Sequence, residues 1–119
     1  MILVDTSVWV NHFRRRDAAL AKLLLDGLAG THPFVIGELA CGAQQDRGST
    51  LLFLRKLAQT PTATEAEVHH LLDSHKLWGT GPGWIDLHLL TAALLSGWSL
   101  WTADLAMSRA AAKLGIVQP

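Results

Sequence analysis

The sequence predicts an α/β domain with a parallel sheet, and three observations carry that expectation. Short apolar runs such as Ile2-Leu3-Val4 have the uninterrupted, β-branched character of strands buried on both faces. These runs alternate with longer segments of helical period, which is the order of βαβ units. The chain has 119 residues, half of them hydrophobic and 17% charged. That is enough to close one core and too little for a second domain, so residues 1–119 are expected to form a single domain.

Taken in order, Ile2-Leu3-Val4 is the first strand, and Asp5-Thr6-Ser7 supplies helix-capping residues for a segment from Val8 to Arg16. A second amphipathic helix is expected from Asp17 to Ala29, with Leu20, Leu23, Leu24 and Leu28 on one face and Gly27 and Gly30 at its frayed end. Thr31 to Ile36 reads as extended past Pro33, with Gly37 opening a helix that carries Glu38 and Cys41. Ser49 to Gln59 has helical period, and Thr60 to Ala63 is a weak strand. Thr64 with Glu67 forms a capping-box pattern for a helix reaching about Leu77. Trp78 to Gly83 is a loop by composition. Trp84 to Ser96 is apolar on most faces and is therefore a buried helix. Trp98 to Thr102 is a strand, Asp104 to Leu114 a helix, and Gly115-Ile116-Val117 a last edge strand.

Ten Lys and Arg balance ten Asp and Glu, which argues against a protein that grips nucleic acid by bulk charge alone. It leaves room for one with acids gathered in a site and bases around it. The lone Cys41 cannot close an internal disulfide. The opening Met1-Ile2-Leu3-Val4-Asp5 lacks the basic start of a secretory signal. Leu87 to Ala103 is uncharged but interrupted by polar residues, and a membrane span needs roughly 20 mostly apolar ones. A soluble, cytoplasmic protein without membrane association is expected.

Four carboxylates need explaining. Asp86 is the only formally charged residue from Leu77 to Ala103, and burying an ionised carboxylate is costly without compensation. Taken alone, it reads equally as a first-turn residue bonded to backbone N–H groups. Asp5 and Asp104 each follow a strand and each read alone as an N-cap; Glu38 lies in an apolar run. The pattern across the four is more telling. In an open parallel sheet the strand ends and following helix starts share one edge, where sites form. Four acids there would repel one another, and no lysine in the sequence is an evident partner for them all. A hard divalent cation, Mg²⁺ or Mn²⁺, resolves the conflict because it prefers oxygen ligands. Such a centre suits phosphodiester hydrolysis.

At these residues the sequence resembles a known family. Val4-Asp5-Thr6-Ser7, Gly37-Glu38-Leu39, Trp84-Ile85-Asp86-Leu87-His88-Leu89-Leu90 with Ala92-Ala93, and Leu100-Trp101-Thr102-Ala103-Asp104 match in order the motifs of PIN-domain ribonucleases, most closely the VapC toxins of VapBC toxin–antitoxin pairs. The likeness covers essentially the whole chain. It implies a three-layer α/β/α domain with a short, mostly parallel central sheet. It also implies a Mg²⁺- or Mn²⁺-dependent endoribonuclease, a VapB-type antitoxin as partner, and a homodimer. By matching motif, Asp5 and Asp86 would be the main metal ligands, Glu38 and Asp104 would complete the acidic site, and Thr6, Ser7 and Thr102 would be supporting hydroxyls. Met107 stands where many members carry an aromatic, which bears on local packing rather than chemistry.

The remaining residues have plainer readings. No His or Cys spacing forms a zinc motif. His88 lies about 200° round the helix from Asp86 and reads as a packing residue. Trp84 and Trp101 are core candidates, Trp9 an interface anchor, and Cys41 a small buried side chain. Arg14, Arg15 and Arg109 are candidate RNA-phosphate contacts or simply solvated charge. Two other functions compete with the nuclease. A strand-end Asp5 could be a phosphorylated nucleophile, but Ser7 stands where a second acid is needed and no phosphate-pairing lysine is evident. A non-catalytic dimerisation and partner-binding module of the same fold has no reason to keep clustered acids. If four of the ten acids line a site, ten bases face the six that remain, and neutrality becomes segregation.

Overall fold

The computed structural model describes residues 1–118. The first strand, β1 (Ile2–Val4), is fully buried. It leads into α1 (Thr6–Arg14) and α2 (Ala18–Leu25), then β2 (Ala29–Thr31), α3 (Pro33–Ala40), α4 (Arg47–Lys56) and β3 (Ala58–Gln59). The second half comprises α5 (Glu65–Ser74), α6 (Trp84–Ser96), β4 (Ser99–Trp101) and α7 (Leu105–Lys113).

The strands pair in parallel in the order β3-β2-β1-β4. From β1 the chain steps outward to β2 and β3, then crosses back to the far side of β1. Parallel crossovers are right-handed, so reversing the direction of travel sends the helices to the opposite face. The packing agrees: α1 with α3 and α3 with α4 form one group, and α6 with α5 and α7 form the other. The result is a three-layer α/β/α fold whose strand order reverses between β1 and β4. That reversal point is where open parallel sheets place their sites.

The core sits where the pattern placed it. Leu3 and Val4 of β1 and Leu100 of β4 are inaccessible to solvent, and Leu87 to Ala93 form seven consecutive buried residues of α6. Leucine and alanine hold this helix by propensity and by burial on every side. Gly97 ends it at φ +69°, with the Trp98 N–H reaching back to the Ala93 carbonyl at 2.9 Å. This left-handed cap turns the chain directly into β4. Thr64 and Glu67 make the expected reciprocal capping box on α5.

Several boundaries depart from the sequence reading. The second helix stops at Leu25, and Ala29–Thr31 form β2 rather than a frayed helix end. Gly27 at φ +69° reverses the chain so that the Leu28 carbonyl receives the Ile2 N–H; a strand of three residues shows no period to read. The segment expected to be extended to Ile36 is helical from Pro33, which occupies the first turn behind a His32 N-cap. Proline suits that turn because its missing N–H is not needed there. The fourth helix begins at Arg47 and stops at Lys56, so the weak strand lies at Ala58–Gln59 rather than at 60–63. Gly115–Val117 contributes only a bridge between Val117 and Leu100. Trp9, expected at an interface, is 1% exposed and belongs to the core. Cys41, expected to be buried, lies exposed just past the last turn of α3.

Two positions test this packing. A Cβ at Gly30 would run into the Trp98 indole and come within 3.1 Å of the Ala58 carbonyl. Gly30→Ala should therefore destabilise the fold by about 1–3 kcal/mol in urea unfolding. His32 accepts the Phe34 N–H on Nδ1 at 2.8 Å, so its proton sits on Nε2, which is buried without a partner among the described residues. Burial, then the neighbouring His88, pushes its pKa from 6.5 down to about 4. The unfolded chain thus binds the proton more readily. His32's contribution is fully present above pH 6.5 and is lost as pH falls towards 4. That loss should be on the order of 2 kcal/mol, and His32→Asn should remove this part of the acid slope.

Candidate active site

Asp5 leaves the C-terminal end of β1, and its backbone N–H is fixed to the Trp101 carbonyl of β4 at 2.9 Å. Although it stands at the N-cap position of α1, its side chain makes no cap bond. Instead Oδ2 accepts the hydroxyls of Ser7 and Thr102, both at 2.8 Å. Each hydroxyl has one proton, so the 3.3 Å approach of Ser7 to Thr102 is a contact made by two groups already committed to Asp5. Both oxygens are also acceptors: Ser7 takes the Ala103 N–H and Thr102 the Asp104 N–H, each at 3.0 Å. The clamp thereby ties β1, α1 and the β4–α7 turn to one buried carboxylate, 6% exposed.

The other three acids are each held locally. Thr6 donates its hydroxyl to Glu38 Oε1 at 2.8 Å, joining α1 to α3. Asp86, third residue of α6, accepts the Gly83 N–H on Oδ2 at 3.1 Å. Asp104 caps α7 by accepting the Met107 N–H on Oδ1 at 2.8 Å. The plain capping readings of Asp86 and Asp104 are thus realised, yet each spends only one oxygen on its cap. Among the described residues the only ion pair is Lys22–Asp26 on α2. Among the described residues no lysine or arginine nitrogen lies within 4 Å of a carboxylate oxygen of the four acids.

Two of the four, Glu38 and Asp86, nevertheless feel neighbouring acids. Glu38 is held above the ordinary carboxylate range, chiefly by partial burial, against the Thr6 bond and with repulsion from Asp5 and Asp86. Asp86 is raised chiefly by partial burial, against the Gly83 bond and with repulsion from Asp5 and Asp104. The structure therefore brings all four to one edge. It does not close them into a tight ligand cluster: among the described residues no three His, Cys, Asp or Glu side chains form one. The local bonds from Thr6, Gly83 and Met107 hold the acids at separate stations. Their uncommitted oxygens form an all-oxygen donor set of the kind a hard divalent cation takes.

Arg14 and Arg15 leave the far end of α1, roughly 13 Å along the axis from Asp5. Arg14 borders a groove of about 480 Å³ with Phe13 and Gln44. Arg109 is exposed on α7. None is held against the acids. A hollow of about 510 Å³ between α5 and α6 is lined by none of the four acids.

One feature lay outside the sequence reading. The rings of His32, Phe34, His88, Trp84 and His69 form a ladder with successive centroids 4.8, 5.1, 5.0 and 4.9 Å apart. It spans α3, α6 and α5 and braces the helices that carry Glu38 and Asp86. Pro33 behind a capping residue was the available signal, since it places Phe34 on a helix. His88 is buried, as its helical position predicted, whereas Trp84 is 38% exposed.

Comparison with known proteins agrees with the fold. The PIN domain family model matches residues 2–113. Over 117 residues the chain is 47% identical to Ribonuclease VapC32 of Mycobacterium tuberculosis strain H37Rv, covering 98% of this chain and 94% of that relative. The protein of the same name from strain CDC 1551 matches equally. The chain belongs to the PIN domain family, in its VapC group.

The raised acids have a sign that can be tested. Each binds its proton more tightly when folded, so its favourable contribution exists below the usual carboxylate pKa and is lost as pH rises through the raised value. Glu38→Gln and Asp86→Asn should therefore raise the thermal midpoint at neutral pH in EDTA, and the gain should vanish in acid. A midpoint lowered by both substitutions at pH 7 would contradict the assignment.

Proposed function

We propose that the protein is a divalent-metal-dependent endoribonuclease that acts as the toxin of a toxin–antitoxin pair. The observation that carries this reading is the edge of four acids with no counter-cation among the described residues. Membership of the VapC group supports the reaction class, and the relative's name, Ribonuclease VapC32, supports RNA as substrate. The same acids disfavour a purely structural binding module, which would keep them at a cost in stability.

Asp5, Glu38, Asp86 and Asp104 would hold Mg²⁺ or Mn²⁺. When bound, the cation supplies activation of water and neutralises charge on the scissile phosphate. The chain's own residues do the positioning. Ser7 and Thr102 fix the Asp5 carboxylate and leave Oδ1 without a protein donor among the described residues. Thr6 sets Glu38 across from it. The N-termini of α1, α6 and α7 point positive dipole ends at the edge, which favours both the acids and an incoming phosphate. Arg14, Arg15 and Arg109 would contact phosphates further along the strand.

The reading includes a VapB-type antitoxin and a second copy of the chain as partners. Leu25, Leu95 and Leu105, at 87%, 60% and 65% exposure, supply apolar surface for such contacts. Action in the cytoplasm follows from the substrate; no helix among the described residues is long and apolar enough to cross a membrane.

The test is cleavage of total cellular RNA by antitoxin-free protein with Mg²⁺ or Mn²⁺. Cutting should stop in EDTA and fall to background in Asp5→Asn and Asp86→Asn. Thr102→Val, which leaves the acids in place, should cost about 10–100-fold in activity or metal affinity. Undiminished cleavage by both aspartate variants would overturn the site.

A further inference from the structure

We infer that the groove between the far end of α1 and the turn from α3 to α4 is a nucleotide subsite for the RNA strand, remote from the scissile phosphate. In it Arg14 takes a phosphate, Phe13 the face of a base and Gln44 the base edge. This rests on the ribonuclease reading and deepens it by giving the substrate a second point of attachment that needs no metal.

Helix geometry joins the groove to the acids. The Thr6 hydroxyl of α1 is bonded to Glu38 of α3 at 2.8 Å, and the two helices pack together. Residues four apart share a helix face, so Val10 stands one turn beyond Thr6 on the same stripe. Gly42 stands one turn beyond Glu38, just past the end of α3. Both line the groove. Phe13 and Arg14, two turns from Thr6, continue the α1 stripe and line it as well. A strand that leaves the acids along this seam meets Arg14 after about 12 Å.

The lining suits a nucleotide. A volume of about 480 Å³ falls within the roughly 300–1,000 Å³ of clefts that take small organic groups. Arg14 is exposed and, among the described residues, in no ion pair; no Asp or Glu among them lines the groove. Phe13 is exposed, yet its ring is braced by the buried Trp9 ring stacked at 6.2 Å. Gln44 is fixed too. Its Nε2 donates to the Leu39 carbonyl at 2.9 Å, which settles the amide's orientation and leaves Oε1 as an acceptor. Gly42 makes room for that pose, since a Cβ there would lie 2.6 Å from Oε1. A cation, a braced ring and a preset amide are the groups that take a phosphate, a base face and a base edge. Continuity with the acids favours the strand that is cut there over a peptide.

The experiment is fluorescence anisotropy with antitoxin-free full-length protein in EDTA, where RNA is not cut. The probes are fluorescein-labelled single-stranded RNAs of mixed sequence, lengthened one nucleotide at a time from a dinucleotide to a dodecamer. Wild-type affinity should rise in a step once the strand spans the seam. Arg14→Gln should remove the step and reduce the slope of log affinity against log salt by about 0.7, the loss of one phosphate contact on a single strand. Phe13→Ala should weaken binding of the longer RNAs by about 5- to 50-fold; Phe13→Tyr should restore it and Phe13→Leu should not. Gln44→Ala should flatten any preference among RNAs that differ only in the base at the step. A 4-thiouridine placed there should crosslink to residues 10–14 or 42–45. No binding in EDTA, affinity without a step, an unchanged salt slope in Arg14→Gln, or rescue by leucine as good as by tyrosine would overturn the subsite. Crosslinks confined to other segments would overturn it too and leave the groove to a protein occupant. Wild-type protein that cleaves no RNA with Mg²⁺ or Mn²⁺ sinks the ribonuclease reading instead, and that result is seen without any groove variant.

Discussion

Four carboxylates share one edge of the sheet without a neighbouring cation among the described residues, and most of the local structure makes sense as a response to that. Like charges at short range raise one another's pKa and cost stability. The fold answers with donors placed one by one. Asp5 takes two hydroxyls; Glu38, Asp86 and Asp104 take one donor each. Three of the acids also stand at helix N-termini, where the dipole offsets part of the repulsion. Glu38 lies in the second turn of α3 and lacks that help, which gives the Thr6 hydroxyl its importance. The compensation is incomplete, because Glu38 and Asp86 still sit above the usual range.

The topology explains why the acids meet there. Two of them extend from the ends of β1 and β4, the pair between which the strand order reverses. The other two arrive on helices of opposite layers, α3 and α6. The ring ladder from His32 to Trp84 connects these two helices directly, with His32 capping α3 at one end and Trp84 opening α6 at the other. Acid-induced protonation of His32 therefore acts on the same helix that carries Glu38, so the packing and the site are physically linked.

Much of this was legible in the residues. Trp84–Ser96 was bounded correctly because an apolar run ending in glycine has few alternatives. The capping box at Thr64 was visible for the same reason: both partners are local. Asp86 and Asp104 could be read as caps or as site residues; the structure shows the caps and leaves one oxygen of each carboxylate uncommitted. What sequence could not supply was long-range. β2 is three residues long and exists because it pairs with β1, and Gly30 is needed only because Trp98 lies over it. The hydroxyls of Thr6 and Thr102 reach partners 32 and 97 residues away. The overall charge of zero concealed a segregation, with acids collected at one edge and Arg14, Arg15 and Arg109 elsewhere on the surface.

The most direct test of the account is calorimetric titration of Mn²⁺ into antitoxin-free protein near neutral pH. If the acidic edge is incomplete without a cation, wild-type protein binds the ion. Asp5→Asn and Asp86→Asn should lose that binding while remaining folded. Absence of Mn²⁺ binding by the wild type, or binding that persists unchanged in both variants, would contradict the account.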